Sequence, residues 1–260
     1  MSAAEHRDDV TYERLGAAAV IAIDRPERRN AVDGPTAALL AEAYERFEGD
    51  DEARVLILTG AGDVAFSAGA DLKAIETFAP RLLAPGGPLG FTRRMPSKPT
   101  IAAISGWCLA GGLELALWCD LRIAAEGSTL GFPERRWGVP LIDGGTQRLP
   151  RIVGLGRALD LILTGRMVAA EEALGMGLLN QIVEPGRHLE RALELAEALA
   201  RFPQETMLSD RRAAIEGIGL PFEEGLRREA DIGMEVFEVA QRGAARFAAG
   251  EGRGGAGAGA

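Results

Sequence analysis

Two glycine-bearing turns offer the chemistry of this 260-residue chain: Ser67-Ala68-Gly69-Ala70-Asp71-Leu72 and Ala110-Gly111-Gly112-Leu113-Glu114-Leu115. Each stands where an apolar, strand-like run gives way to a helix-like one. At such a junction backbone N–H groups stay unpaired at the positive end of a helix. Two such ends aimed at one point would bind a carbonyl oxygen and stabilise negative charge developing on it. The second turn also carries Glu114, and Phe132-Pro133-Glu134 brings another acid at a helix start. Two carboxyls beside one polarised carbonyl can divide proton transfer, one taking a proton from water and the other giving one to carbon. Each acid also has a plainer reading. Glu114 suits a capping box and Glu134 a helix dipole, while Asp143 looks like the cap of the helix opened by Gly144-Gly145. Against the capping box, residues 113–119 are otherwise wholly apolar, and burying a carboxylate without a task is costly.

Other chemistries lack their residues. The histidines are His6, in a polar N-terminal stretch, and His188, amid charged neighbours, and no Gly-x-Ser-x-Gly elbow exists to build a Ser-His-Asp hydrolase. There is no Gly-x-x-x-x-Gly-Lys-Ser/Thr phosphate loop, and Thr59-Gly60-Ala61-Gly62 lacks the third glycine of a dinucleotide fingerprint. A net charge of −9 argues against nucleic acid as a partner. Cys108 and Cys119 lack zinc or disulfide spacing and read as reduced, buried thiols, so no metal is expected. The N-terminal stretch has no secretory core, and no apolar run approaches the ~18 residues of a membrane span. A cytoplasmic protein is the expectation.

Positioning these groups calls for an α/β architecture. Residues 17–23, 54–59, 100–104 and 121–124 are apolar, strand-like runs, and 35–47 has helical periodicity with Asp33 as its natural cap. Beyond about residue 143, helical patterns dominate at 157–163, 169–174, 189–201, 205–215 and 222–239, with a strand-like run at 178–183. Residues 78–94, rich in Pro and Gly without a period, are expected to form a mobile flap beside the substrate. Residues 250–260, nearly all Gly and Ala, are expected to be a disordered tail.

Four segments form an ordered set of motifs: Asp24-Arg25-Pro26-Glu27-Arg28-Arg29-Asn30-Ala31-Val32, Phe66-Ser67-Ala68-Gly69-Ala70-Asp71-Leu72, residues 104–116 around Ala110-Gly111-Gly112-Leu113-Glu114, and Gly144-Gly145-Thr146-Gln147-Arg148-Leu149-Pro150-Arg151. Thr164-Gly165-Arg166 and residues 173–180 continue it. Through these motifs the chain resembles the crotonase (enoyl-CoA hydratase/isomerase) superfamily along nearly its full length. The resemblance implies a spiral of ββα units over residues 1–195 and a C-terminal helical region, 196–249, that builds a homotrimer or homohexamer. It implies an acyl-CoA thioester substrate, with coenzyme A as part of that substrate and no further cofactor. The thioester carbonyl would be held by the N–H groups of Ala70 and Gly111. Ala68, Gly69, Asp71 and Leu72 would border the adenine and pantetheine track. Arg28 or Arg29, with Lys73, would meet the CoA phosphates or else be solvated surface charge. In the hydratases of the family, Glu114 would activate water and Glu134 would protonate the α-carbon, adding water syn across the 2,3 double bond. A Δ3,Δ2-enoyl-CoA isomerase would need one carboxylate, and a non-catalytic acyl-CoA-binding protein neither. The chain departs from the family pattern at Phe132, where hydratases usually have glutamine, and at Leu141-Ile142-Asp143. Arg135 or Arg136, if turned toward Glu134, would hold it ionised, but adjacent helical side chains diverge by about 100°, so both are expected to face away.

Overall fold

The computed structural model describes residues 9–251; His6 and all but the first two residues of the expected tail lie outside them. The chain divides into two compact units after Ala196.

In the first unit, an antiparallel hairpin of β1 (Val10–Leu15) and β2 (Ala18–Ile23) leads through α1 (Gly34–Glu48) into three repeats of one plan. Asp33 caps α1 by accepting the Thr36 N–H, as its position before Gly34-Pro35 suggests. Each repeat lays a strand in a six-stranded sheet, a short strand in a four-stranded sheet, and then a helical segment. The first is β3 (Val55–Gly60), β4 (Ala65–Ser67) and the 3-10 segment Leu72–Arg81. The second is β5 (Thr100–Ile104), β6 (Trp107–Leu109) and α2 (Gly111–Trp118). The third is β7 (Leu121–Ala125), β8 (Thr129–Gly131) and the 3-10 turn Pro133–Trp137. There follow α3 (Gly145–Val153), α4 (Leu155–Thr164), β9 (Met167–Ala169), α5 (Ala170–Gly175) and β10 (Gln181–Val183), and α6 (His188–Ala200) runs through the boundary. The large sheet has the order β1-β2-β3-β5-β7-β10 and is parallel beyond the first pair. Its inner strands are covered on both faces, which is why they read as continuous apolar runs rather than alternating ones.

The small sheet, β4-β6-β8-β9, positions the chemistry. Its first three strands are parallel, with Ser67 opposite Cys108 and Leu109 opposite Gly131. Their C-terminal ends therefore lie side by side, and the segment leaving each end enters one neighbourhood. Those segments hold Ala70, then Gly111 and Glu114, then Glu134.

Residues 78–94 are not a free flap. Phe78, Leu89, Phe91 and Thr92 are buried, and the Phe91 ring stands 4.5 Å from that of Trp118 and 5.4 Å from that of Tyr44. Three apolar side chains in a Pro/Gly-rich stretch nail the loop to the core where periodicity gave no sign of it.

The second unit packs α7 (Gln204–Gly217) on α8 (Phe222–Glu235), followed by α9 (Phe237–Ala248). Ion pairs Arg212–Glu235 (2.7 Å) and Arg228–Glu216 (2.6 Å) bridge α7 and α8. The single helix expected over 222–239 is broken at Val236, whose φ of −115° and ψ of 14° leave the helical region. No Gly or Pro marks that break. Phe222, Leu226, Met234, Phe237 and Phe247 are all exposed.

Candidate active site

The two glycine turns meet. Gly69 has φ +87°, and a Cβ there would sit 2.5 Å from the Gly111 nitrogen, so only glycine allows this approach. A Cβ built on Gly111 would in turn lie 3.4 Å from the Ala70 nitrogen. Val32 spans the first turn, donating to the Gly69 carbonyl (2.8 Å) and accepting from the Asp71 N–H (2.7 Å). That pattern skips the Ala70 N–H. The Gly111 N–H opens α2 and has no preceding turn to bond. Among the described residues neither N–H meets an acceptor, and the two stand together at the wall of one cavity. Ala110, between them, holds φ 52° and ψ −126°, an unusual conformation for a residue with a Cβ. Its N–H is tied to the Gly131 carbonyl at 2.9 Å.

The cavity, about 420 Å³, is lined by Ala68, Ala70, Gly111, Glu114, Glu134 and Asp143, and otherwise by apolar side chains, Leu89 and Trp137 among them. Glu114 is 3% exposed. Its carboxylate does not cap its own helix, as a capping box would require. Its Oε1 accepts N–H bonds from Asp143 (3.0 Å) and Gly145 (2.8 Å), across the cavity wall. Gly145 permits this, because a Cβ there would lie 3.0 Å from that oxygen. Burial pushes Glu114 up to about 8; the two N–H groups oppose this, and the charges of Asp143 and Glu134 add to it.

Glu134 is buried in the Pro133–Trp137 turn, and neither of its oxygens has a hydrogen-bond partner among the described residues. Burial raises it to about 7, against the opposing charge of Arg135. Arg135 and Arg136 are both exposed and pair with nothing at Glu134.

Asp143 is not the cap of α3, whose N-cap is Gly144 without a side-chain bond. Its Oδ1 instead accepts from the Leu89 N–H (3.1 Å) and from the Thr92 hydroxyl. Sequence reasoning missed it as a cavity acid, although the unusual Leu141-Ile142-Asp143 run was a signal. Leu89 falls within the 78–94 stretch expected beside the substrate, whereas nothing in the sequence marks Trp137 as a wall residue.

Of the residues expected along the CoA track, Ala68 and Leu72 line the cavity. Gly69 lies behind the turn as the close-approach glycine. Asp71 faces inward: it caps the following 3-10 segment through the Lys73 N–H (3.0 Å) and stands 3.7 Å from buried Arg25. Arg28 and Lys73 are exposed and outside the cavity wall. Cys108 and Cys119 are buried free thiols, both pushed far up by burial.

Known proteins resemble this chain along most of its length. The Enoyl-CoA hydratase/isomerase family profile matches residues 13–249. The chain is 36% identical over 236 residues to a short-chain-enoyl-CoA hydratase of Clostridium acetobutylicum, covering 89% of this chain and 90% of that one. It is 39% identical over 248 residues to a probable enoyl-CoA hydratase of Rhizobium meliloti, covering 93% and 95%. A crystal structure of an enoyl-CoA hydratase from Mycobacterium tuberculosis H37Rv superposes with a TM-score of 0.86 at 38% identity, over 92% of this chain and 95% of that one. The chain belongs to the enoyl-CoA hydratase/isomerase family, the crotonase superfamily.

Proposed function

We infer that this chain is an enoyl-CoA hydratase, adding water across the 2,3 double bond of an acyl-CoA thioester. The observation that carries the reading is the meeting of two unpaired N–H groups, Ala70 and Gly111, with two buried acids, Glu114 and Glu134, in one cavity. The thioester oxygen binds between the two N–H groups. As water adds to C3, charge moves onto that oxygen and the N–H pair stabilises the enolate.

The surroundings of the two acids support a division of labour. Two N–H donors on the Glu114 carboxylate oppose part of the burial that raises it to about 8, and they hold an oxygen in place for the base that takes a proton from water. Glu134 has no donor on either oxygen and is raised to about 7, so it holds a proton to higher pH than an ordinary carboxyl and suits the acid that delivers a proton to C2. With Glu134 neutral, one of the charges that raise Glu114 is gone. Water and proton delivered from one side of the alkene give syn addition. The apolar lining from Phe78, Leu82, Leu89 and Leu141 suits a hydrocarbon acyl group, while Ala68 and Leu72 border the pantetheine.

The exposed apolar side chains Phe222, Leu226, Met234, Phe237 and Phe247 support an oligomerisation role for the C-terminal helices, in a trimer or a dimer of trimers.

The test uses one absorbance band. Crotonyl-CoA should lose its conjugated enone absorbance on addition of the enzyme. A 3-enoyl-CoA gaining that band instead would make the enzyme an isomerase, and binding without change in either would make it an acyl-CoA-binding protein.

A further inference from the structure

A third carboxyl, Asp143, lines the cavity and is used by neither half of the hydration above. It is 3% exposed and sits at a junction of segments far apart in sequence. Its backbone N–H donates to Glu114 Oε1 at 3.0 Å. Its Oδ1 accepts from the Leu89 N–H at 3.1 Å and from the Thr92 hydroxyl. Arg148 strengthens the junction, donating to the Asp143 carbonyl (2.9 Å) and to the Thr92 carbonyl (2.5 Å). Leu89 is itself a wall of the cavity, and its side chain lies against Gly111: a Cβ there would be 3.0 Å from Leu89 Cδ1.

We propose that Asp143 is a positioning residue for hydration, its N–H pinning the Glu114 carboxylate and its side chain pinning the Leu89 wall, so that base and wall are held as one unit. The inference rests on Glu114 being the base. A segment with so little local structure needs such an anchor, since a small displacement of a reacting group costs far more rate than stability. The anchor also carries charge. Asp143 stands among Glu114, Arg93 and Arg148, while Glu114 faces Asp143, Glu134 and Arg148. Removing the Asp143 charge withdraws one influence that keeps Glu114 protonated.

The experiment is the pH profile of kcat/KM for crotonyl-CoA hydration by Asp143→Asn. Asparagine retains the backbone N–H and an oxygen for Leu89 and Thr92, so the fold is kept and the charge is lost. The ascending limb, which reports ionisation of the base, should move to lower pH by about half a unit or more. Thr92→Val, which removes one donor from the carboxylate, should move it the same way by less. Asp143→Ala should lower kcat by ~10-fold with a smaller change in KM, because the wall is released. A limb that superposes on the wild type in both Asp143→Asn and Thr92→Val, with kcat unchanged in Asp143→Ala, overturns the proposal, as a residue that neither pins nor charges the base would leave all three unmoved. Glu114→Gln separates the two levels. Were that variant to hydrate normally, the base assignment itself would fail; if it is inactive and all three readouts stay unmoved, the Asp143 inference alone is wrong.

Discussion

The helix that carries Glu114 is buried along its whole length, whereas the turn that carries Glu134 exposes Arg135, Arg136 and Trp137 to solvent. The carboxylate on the buried helix has two hydrogen-bond donors, and the one on the exposed turn has none. Burial alone would push both acids in the same direction and leave them chemically alike. What separates them is where the backbone N–H groups of residues 143 and 145 point. In the proposed hydration the two acids differ through peptide groups of a neighbouring loop and not through their type, since both are glutamates.

Substitution gives the largest effect that can break this comparison. Glu114→Gln keeps an oxygen for its two donors but removes the base, and hydration should fall by ~10²–10⁴-fold. Glu134→Gln removes the acid with no donor to disappoint, so rate should fall by ~10²-fold or more while acyl-CoA binding stays near wild type. A steady-state assay with a binding titration decides, and a near-normal rate for either variant removes that residue from the mechanism.

A smaller effect lies in stability. Glu134 has a folded pKa raised to about 7 from an ordinary carboxylate value, so the native state holds its proton more tightly than the unfolded chain. Its contribution is fully present below the unfolded carboxylate range and is lost as pH rises through about 7. Glu134→Gln cannot ionise. Between pH 5 and pH 9 the wild type should therefore lose on the order of 1–3 kcal/mol relative to the variant. Urea midpoints measured at both pH values test this, and parallel curves would mean that Glu134 ionises in the fold without penalty.

Much of this arrangement was legible in the sequence because it is locally encoded. The run Thr-Ile-Ala-Ala-Ile is β5 to the residue, and Asp33 caps α1 through a residue three places on. The strands of the small sheet are three residues long and carry no period to read. The partners of Glu114 lie 29 and 31 residues downstream, and those of Asp143 lie 54 and 51 residues upstream. An acid before paired glycines has the local pattern of a cap, and only tertiary contact turns Asp143 toward Leu89 and Thr92 instead. The break at Val236 is likewise invisible, because no residue there forbids a helix.

The smallest expected effect again falls on the Glu114 side. Among the described residues Ala110 is one of three non-glycine residues at positive φ, beside Arg29 and Asn30, and it is the one at the cavity wall. Such a conformation costs about 1–3 kcal/mol in a residue bearing a Cβ. Ala110→Gly relieves that strain but returns about 0.5–1 kcal/mol of chain entropy to the unfolded state. The net expectation is a stability gain of about 1 kcal/mol, measured as a higher Tm or urea midpoint. The gain should come with a loss of hydration rate of a few-fold, since the methyl that packs toward Gly69 also restrains the direction of the Gly111 N–H. A variant both more stable and equally fast would mean that the turn needs no strain to aim its donor. The asymmetry between the two glutamate supports would then reside in their hydrogen bonds alone.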